Sequence, residues 1–270
     1  MEFAWFKGHG TENDFVLLPD HDGTVHGDLD PAFVAALCDR RRGIGADGVM
    51  RVVRCTALGH NSPAEWFMDY RNADGTLSQM CGNGIRVFAR HLLEQGLVEG
   101  PEFPIDTRDG LKFLSVVGDE LSVDMGAWTT GGHTKVSADD RTWEALEVHT
   151  GNPHAVAFVD SLADAGALTE PPRHDEAVFP EGVNVEFVQR LAPQHVAMRV
   201  HERGSGETRS CGTGACATAI ATAKADRQSG PATYRVDVPG GTLHVTVSPD
   251  RTVLTGPAVI VAGGTMEWSA

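Results

Sequence analysis

The sequence contains Cys81-Gly82-Asn83-Gly84 and Cys211-Gly212-Thr213-Gly214, two short cysteine-glycine motifs that are each followed by an apolar run. These runs predict one helix over residues 83–95 and another from residue 214 to about residue 225. Each thiol is therefore expected at a helix N-terminus. The unpaired N–H groups and the positive dipole end of a helix bind carboxylates there and favour a thiolate.

The two motifs belong to a longer internal repeat. The thiols are 130 residues apart (211 − 81), and a polar residue lies nine positions before each of them. Farther upstream, each thiol is also preceded by an asparagine loop and by a second loop. The matching positions are Asn72 and Glu202, Asn13 and Asn152, and Gly48 and Asn184. This order predicts a duplicated half-molecule that contributes one thiol from each copy.

The surrounding patterns predict many short strands and few helices. Asp30-Pro31 is typical of a helix start, and most other periodic segments alternate as strands do. We therefore predict an α+β fold with two pseudo-symmetric domains and an active site in the cleft between them. The regular pattern lapses over residues 126–138, which we take as the boundary. The predicted domains are residues 1–126, completed by a C-terminal strand at 259–270, and residues 127–258.

The amino-acid composition disfavours several classes of protein. The chain has 22 Lys and Arg against 37 Asp and Glu, a formal net charge of −15, which disfavours nucleic-acid and anionic-membrane partners. Neither a signal peptide nor an apolar run long enough to cross a membrane is evident, so we expect a cytoplasmic protein. The five cysteines include no C-x-x-C pair, which predicts reduced thiols, with Cys38 in the core.

A thiol on each side of one carbon suits inversion of a stereocentre. A thiolate removes the α-proton of an amino acid from one face, and a thiol delivers a proton to the other. Helix N-terminal N–H groups would stabilise the negative charge that develops during this step. We expect the helix dipole to lower the thiol pKa, leaving one cysteine ionised and the other protonated near neutral pH.

The same residues resemble those of the diaminopimelate epimerase family. The likeness extends over nearly the whole chain and in the same order. It is carried by residues 80–86, 202–214, 10–15, 70–75, 151–154 and 182–184. The resemblance implies interconversion of LL- and meso-diaminopimelate without pyridoxal phosphate, another cofactor or a metal. It also implies two domains, each a mostly antiparallel, β-barrel-like sheet wrapped around a central α-helix, together with a cleft that closes on substrate and a homodimer.

The resemblance further implies roles for individual residues. Cys81 is the proton donor and Cys211 the proton acceptor. His154 and Glu202 adjust the pKa of the thiols. Ten residues bind the substrate, and those at 82, 83, 212 and 213 contact its reacting α-carboxylate: Asn13, Asn72, Gly82, Asn83, Asn152, Asn184, Glu202, Arg203, Gly212 and Thr213. The guanidinium of Arg203 suits the second carboxylate of diaminopimelate, because its planar fork can bond both carboxylate oxygens.

One position departs from the family pattern. Many members have glutamine where this chain has Gly48, so a substrate contact there is missing or is supplied by another residue. The nearest alternative function is a related two-cysteine racemase acting on proline or histidine, although proline-type enzymes have histidine in place of Asn83. A non-catalytic protein with a redox-switch disulfide is a second alternative. Zinc binding is disfavoured, because neither H-E-x-x-H nor a zinc-like cysteine spacing is present.

Overall fold

The computed structural model describes residues 1–268 and has a mixed α+β fold that is mostly sheet. Contacts divide the chain into two compact units. The first, which we call the N-terminal unit, contains Met1–Val123 and the segment from Pro257 onward; the second, the C-terminal unit, contains Asp124–Gly256. Positions 269–270 of the predicted C-terminal strand lie outside the described residues.

The N-terminal unit is built on a five-stranded sheet in the order β17-β1-β2-β3-β4. Its strands β2 and β3 run parallel, and the other neighbouring pairs run antiparallel. These strands are β1 (Glu2–Gly10), β2 (Asn13–Pro19), β3 (Gly48–Arg54), β4 (Trp66–Asn72) and β17 (Val259–Glu267). The unit also contains α1 (Pro31–Cys38), α2 (Gly82–Glu94) and the antiparallel strands β5 (Glu102–Ile105), β6 (Lys112–Val117) and β7 (Glu120–Gly126), the last of which crosses the boundary.

Helix α2 is almost entirely buried and packs on β1, β2, β3 and β17. It ends where the sequence predicts, because Gly96 follows the last turn with a left-handed φ of 65°. Helix α1 also begins as predicted, since the Asp30 carboxylate accepts a hydrogen bond from the Phe33 N–H at 2.9 Å. Cys38 at the end of α1 is buried among apolar side chains, which confirms its predicted place in the core.

The C-terminal unit contains α3 (Gly212–Ala225), which packs against strands of its sheet. The strands are β8 (Thr129–Ala138), β9 (Arg141–His149), β10 (Pro153–Val159), β11 (Asn184–Ala192), β12 (His195–Glu202), β13 (Gly206–Thr208), β14 (Ala232–Val238), β15 (Gly241–Val247) and β16 (Thr252–Gly256). Small side chains on every side of α3 allow this close packing, and residues 214–223 are all buried.

Both units repeat one order of elements before their buried helix. An antiparallel pair (β1-β2 or β9-β10) leads to a parallel pair (β2-β3 or β10-β11), then to an antiparallel pair (β3-β4 or β11-β12) and the helix. The predicted site residues therefore fall at matching strand ends. Asn13 opens β2 and Asn152 directly precedes β10, while Asn72 and Glu202 close β4 and β12.

Two details of the predicted secondary structure are wrong. Residues 129–138, taken as irregular, form β8, whose exposed first half lacks the apolar alternation that predicts a strand. The apolar pattern over residues 253–261 predicts one strand, but the structure divides it at Pro257, so that β16 ends at Gly256 and β17 begins at Val259. Within residues 1–268, no helix is long and apolar enough to span a bilayer.

Candidate active site

Cys81 is the N-cap residue of α2. Its backbone is extended (φ −136°, ψ 123°), and its Sγ accepts a hydrogen bond from the Gly84 N–H at 3.4 Å. The thiol thus does what an N-cap hydroxyl does, satisfying one of the unpaired amides of the first turn. Gly84 is closely surrounded, because a Cβ there would lie 3.3 Å from Cys81 Cβ and 3.4 Å from Met50 Sδ and Phe15 Cζ.

Two asparagines among the predicted substrate-binding residues lie against Cys81. The Cys81 thiol donates to Oδ1 of Asn13 across 3.7 Å, and Nδ2 of Asn83 donates to the same oxygen at 3.2 Å. The other end of the Asn13 amide donates to Asp47 Oδ2 at 2.7 Å. This last bond fixes the direction of the amide, so that its oxygen faces the thiol.

A buried arginine supports the same turn. Nη1 of Arg86 donates to the Gly82 carbonyl at 2.9 Å, and Nη2 donates to Asn83 Oδ1 at 3.0 Å. A Cβ at Gly10 would lie 3.2 Å from this guanidinium and from the Asn83 carbonyl oxygen, so the backbone of residue 10 packs closely against the turn. Arg86 therefore holds Asn83 in place and adds positive charge near the start of α2.

The Asn13 loop is anchored by ion pairs. Arg40 contacts both Asp47 and Asp14 at 2.7 Å, and Lys7 contacts Asp14 at 3.0 Å. Burial alone would raise the pKa of Asp14, but hydrogen bonds and charges from Arg40 and Lys7 lower it to about 2. Asp14 is thus held as a carboxylate, and its ion pairs together with that of Asp47 fix the loop that presents Asn13.

Gly48 and Asn72 face each other across β3 and β4. A Cβ on Gly48 would lie 2.6 Å from the Tyr70 ring and from the Arg71 carbonyl oxygen, so no side chain fits without a shift. The Tyr70 ring therefore occupies the space that the Cβ of a glutamine at position 48 would need. Nδ2 of Asn72 donates to Thr76 Oγ1 at 3.0 Å, inside the turn that follows β4.

Cys211 is the N-cap residue of α3 and is more deeply buried than Cys81. Its Sγ accepts from the Gly214 N–H at 3.4 Å and lies 3.5 Å from Thr213 Oγ1. Burial raises the pKa of the Cys211 thiol well above its usual range, and a negative charge on Glu202 or Glu186 raises it further. The Gly214 N–H at the helix terminus opposes this rise, but burial outweighs it, so the predicted net lowering of the pKa does not occur for this thiol.

His154 and Asn152 form a hydrogen-bonded chain with Glu186, a residue that the sequence analysis missed. His154 Nδ1 lies 2.7 Å from Glu186 Oε1, and His154 Nε2 lies 2.8 Å from Asn152 Oδ1. Burial raises the pKa of the Glu186 carboxyl, with His154 opposing the shift and Glu202 adding to it. The same carboxyl reaches the Cys211 turn, because a Cβ on Gly214 would lie 2.7 Å from Glu186 Oε1.

Asn184 links the segments that carry the remaining predicted residues. Its Nδ2 donates to the Pro153 carbonyl at 3.0 Å, and its Oδ1 accepts from the backbone N–H of Arg203 at 3.0 Å. The exposed Arg203 side chain donates to the Glu181 carbonyl at 3.2 Å. Thr208 donates a short hydrogen bond to the Glu202 carboxylate.

Family comparison agrees with this arrangement. A family model described as "Diaminopimelate epimerase" matches residues 5–130 and 147–261, a span that includes both cysteine turns. The chain belongs to the diaminopimelate epimerase family. A relative from Streptomyces coelicolor named diaminopimelate epimerase is 54% identical over 98% of this chain and 95% of its own length. The relatives of that name from Thermobifida fusca and Corynebacterium glutamicum are 47% and 45% identical, each over 99% of its own length.

More distant solved structures share the fold of this diaminopimelate epimerase family member. A Bacillus anthracis phenazine biosynthesis protein of the PhzF family superposes with a TM-score of 0.74 over 99% of this chain and 100% of its own, at 16% identity. An Agrobacterium vitis hydroxyproline epimerase with bound trans-4-hydroxy-L-proline gives 0.66 over 98% and 92%, also at 16% identity. These two likenesses concern the fold alone.

Within each unit the structure brings several predicted residues together. Cys81, Asn13 and Asn83 form one hydrogen-bonded group, and Cys211 with Thr213 forms another. Sequence reasoning missed Arg86, Asp47 and Glu186, which hold members of these groups in place. The available signal was a charged residue inside an apolar segment, as in Ile85-Arg86-Val87 and Val185-Glu186-Phe187. Within the described residues, no group of His, Cys, Asp or Glu has the geometry to hold a metal ion.

Proposed function

We propose that the protein is a cofactor-independent isomerase that interconverts LL- and meso-diaminopimelate, a reaction of lysine and peptidoglycan precursor biosynthesis. The observation that carries this proposal is the N-cap thiol at the start of each buried helix, in a chain of the diaminopimelate epimerase family. The names of the relatives, all diaminopimelate epimerases at 45–54% identity, support the substrate.

The chemistry is a two-base proton transfer at the α-carbon. Cys211 removes the α-proton as a thiolate, and Cys81 delivers a proton to the opposite face; the reverse reaction exchanges these roles. The hydrogen bond from the Cys81 thiol to Asn13 supports a protonated Cys81 at rest, because the oxygen of an amide can only accept. This mechanism requires both thiols to reach one α-carbon, in a cleft to which each half of the molecule contributes.

The reacting carboxylate is bound by the first turns of α2 and α3. The Gly84 and Gly214 amides already donate to the thiols. The first turns also present the amides of Gly82 and Asn83 in one helix and of Gly212 and Thr213 in the other. Donors aimed at the α-carboxylate stabilise the charge that spreads onto it as the proton leaves.

Ionisation of Cys211 depends on the substrate. Burial and the negative charge of Glu202 raise its pKa, so the free thiol stays protonated near neutral pH. The α-ammonium of the substrate brings a positive charge and can pair with Glu202, which removes part of the repulsion. The thiolate therefore forms when the substrate is in place.

The far end of diaminopimelate carries a second carboxylate and ammonium. The amides of Asn13, Asn72, Asn152 and Asn184 supply donors and acceptors for these groups, and Arg203 is free to pair with the carboxylate through its exposed guanidinium. Proline offers no second charged end.

We also propose that the protein is cytoplasmic and forms a homodimer. Sedimentation equilibrium of the purified protein tests the oligomeric state.

The decisive experiment incubates reduced protein with LL-diaminopimelate in D₂O and follows α-deuteration and the isomer ratio. We expect deuterium in the newly formed meso isomer, with a C81A/C211A double variant as the matched inactive control. Absence of exchange in the presence of reductant would overturn the proposal. Exchange with proline or histidine in place of diaminopimelate would select the related racemase.

A further inference from the structure

The chain of hydrogen bonds from Glu186 through His154 to Asn152 ends at a polar group without a partner. Glu186 and His154 are fully buried, whereas Asn152 is half-buried. The backbone of Asn152 is fixed, because its carbonyl accepts from the Thr150 N–H at 3.2 Å. Its side-chain oxygen is used by His154. Among the described residues nothing accepts a hydrogen bond from its Nδ2 group, which is therefore available to a ligand.

The direction of the Asn152 amide depends on which nitrogen of His154 carries a proton. Asn152 Oδ1 can only accept, so His154 Nε2 must donate to it. The bond between His154 Nδ1 and Glu186 Oε1 then has two possible forms. Either a protonated carboxyl donates to a neutral imidazole, or an imidazolium donates to a carboxylate.

The surroundings of Glu186 favour the neutral form. Its Oε2 atom is buried and has no hydrogen-bond partner among residues 1–268, which costs much more for a carboxylate than for a carbonyl oxygen. The other titratable groups that face it are Cys211 and Glu202, and neither offers a positive charge. The first turn of α3 would attract an anion, but the Gly214 N–H donates to Cys211 Sγ.

We propose that Glu186 is a positioning residue that works in its protonated, uncharged form. Its carboxyl proton is donated to His154 Nδ1, which fixes the Nε2–H tautomer and turns the Asn152 NH₂ group outward as a donor for a substrate carboxylate. When Glu186 is neutral, Glu202 is the only one of these two carboxyl groups whose negative charge repels the Cys211 thiolate. This inference rests on the proposed epimerase function, since it assigns how one substrate-binding residue is oriented.

The tautomer of His154 tests the inference without any measurement of catalysis. Imidazole ¹⁵N chemical shifts of the wild-type protein at neutral pH, without substrate, report the protonation of each nitrogen. The signals of His154 among the 12 histidines are assigned by comparison with His154→Gln. We expect an unprotonated Nδ1 and a protonated Nε2. Protonation of both nitrogens, or of Nδ1 alone, would overturn the proposal whether or not the protein epimerises diaminopimelate.

Two variants of equal size then test the role of the proton. Glu186→Gln retains an N–H donor for His154 Nδ1, whereas Glu186→Leu removes it. We expect the KM for diaminopimelate to rise by about tenfold or more in E186L and several times less in E186Q, because one substrate hydrogen bond loses its fixed donor. Glu207→Gln, which removes an exposed carboxylate paired with Arg199, is the matched control and should leave KM unchanged. Equal KM increases in E186Q and E186L would contradict the inference, and the wild-type spectrum decides the case if E186L fails to fold.

Discussion

Replacing Gly214 with alanine is expected to destabilise the protein, even though alanine is the better helix former. The new Cβ would lie 2.7 Å from Glu186 Oε1 and 3.3 Å from Cys211 Sγ. Glu186 is buried and bonded to His154 at 2.7 Å, so its carboxyl cannot move away without breaking that bond. The equivalent residue in α2, Gly84, provides a matched control. Its nearest neighbours are carbon and sulfur atoms at 3.3–3.4 Å, which a small adjustment accommodates.

The opposing contributions to the free energy of unfolding can be compared. Alanine gains about 1 kcal/mol over glycine inside a helix, and this gain applies to both positions. At position 214, overpacking costs about 1–3 kcal/mol. Loss of a buried hydrogen bond there costs about 1–3 kcal/mol more. We therefore expect G214A to lower the unfolding free energy by about 1–5 kcal/mol, with a central value of about 3 kcal/mol, and G84A to change it by less than about 1 kcal/mol.

Urea denaturation followed by far-UV circular dichroism measures both variants against the wild-type protein. A third comparison, in the Glu186→Ala background, isolates the steric clash, because this variant lacks the carboxyl group that the new Cβ would contact. In that background, Gly214→Ala should cost little or become stabilising. Equal destabilisation by G84A and G214A, or an unchanged cost of G214A in the E186A background, would refute the steric explanation.

Three further predictions follow from buried groups. Cys81→Ala and Cys211→Ala should each reduce the epimerisation kcat by at least about 10²-fold while the far-UV spectrum stays native, and full activity in either variant would contradict the two-base mechanism. Burial, with a smaller contribution from His21, lowers the pKa of His91 to about 4. Below about pH 6.5 the imidazole of His91 is therefore protonated in the unfolded state but not in the folded state. The free energy of unfolding should fall by about 2 kcal/mol between pH 7 and pH 5. Urea titrations should show that His91→Leu removes this loss. Arg86→Met removes the donor that bonds the Gly82 carbonyl and the Asn83 amide oxygen. We expect it to lower the free energy of unfolding by about 1–3 kcal/mol, measured by denaturation, and to raise the KM for diaminopimelate, measured from initial rates.

Local signals made the helices around the thiols predictable from sequence. The Cys-Gly-x-Gly turns, the N-cap Asp30 and the terminal Gly96 each depend on residues within one turn of the helix end. The helices begin at Gly82 and Gly212, close to the predicted positions. The exposed first half of β8 escaped detection, since an edge strand with glycines at positions 131 and 132 has no apolar alternation to reveal it.

Contacts between distant segments were not predictable in the same way. Glu186 meets His154 because β10 and β11 pair in parallel with Ala155 opposite Val185, a register that the local sequence does not encode. Asp47 likewise meets Asn13 across 34 residues of chain. In both cases a residue that was not predicted as part of the site forms a hydrogen bond that orients a predicted site residue. The sequence motifs thus identify groups suited to contact substrate more readily than the groups that orient them.

The pKa of Cys211 shows why residue type and helix position do not decide chemistry alone. A helix N-terminus stabilises an anion by at most about 2 kcal/mol, equivalent to about 1.5 pKa units. Complete burial can shift a pKa by up to about 3–5 units in the opposite direction, and the negative charge of Glu202 adds to that shift here. Burial therefore outweighs the dipole in the free protein. In the mechanism that we propose, the α-ammonium of the substrate supplies the positive charge that the Cys211 thiolate needs, so thiolate formation would be coupled to binding of an amino acid.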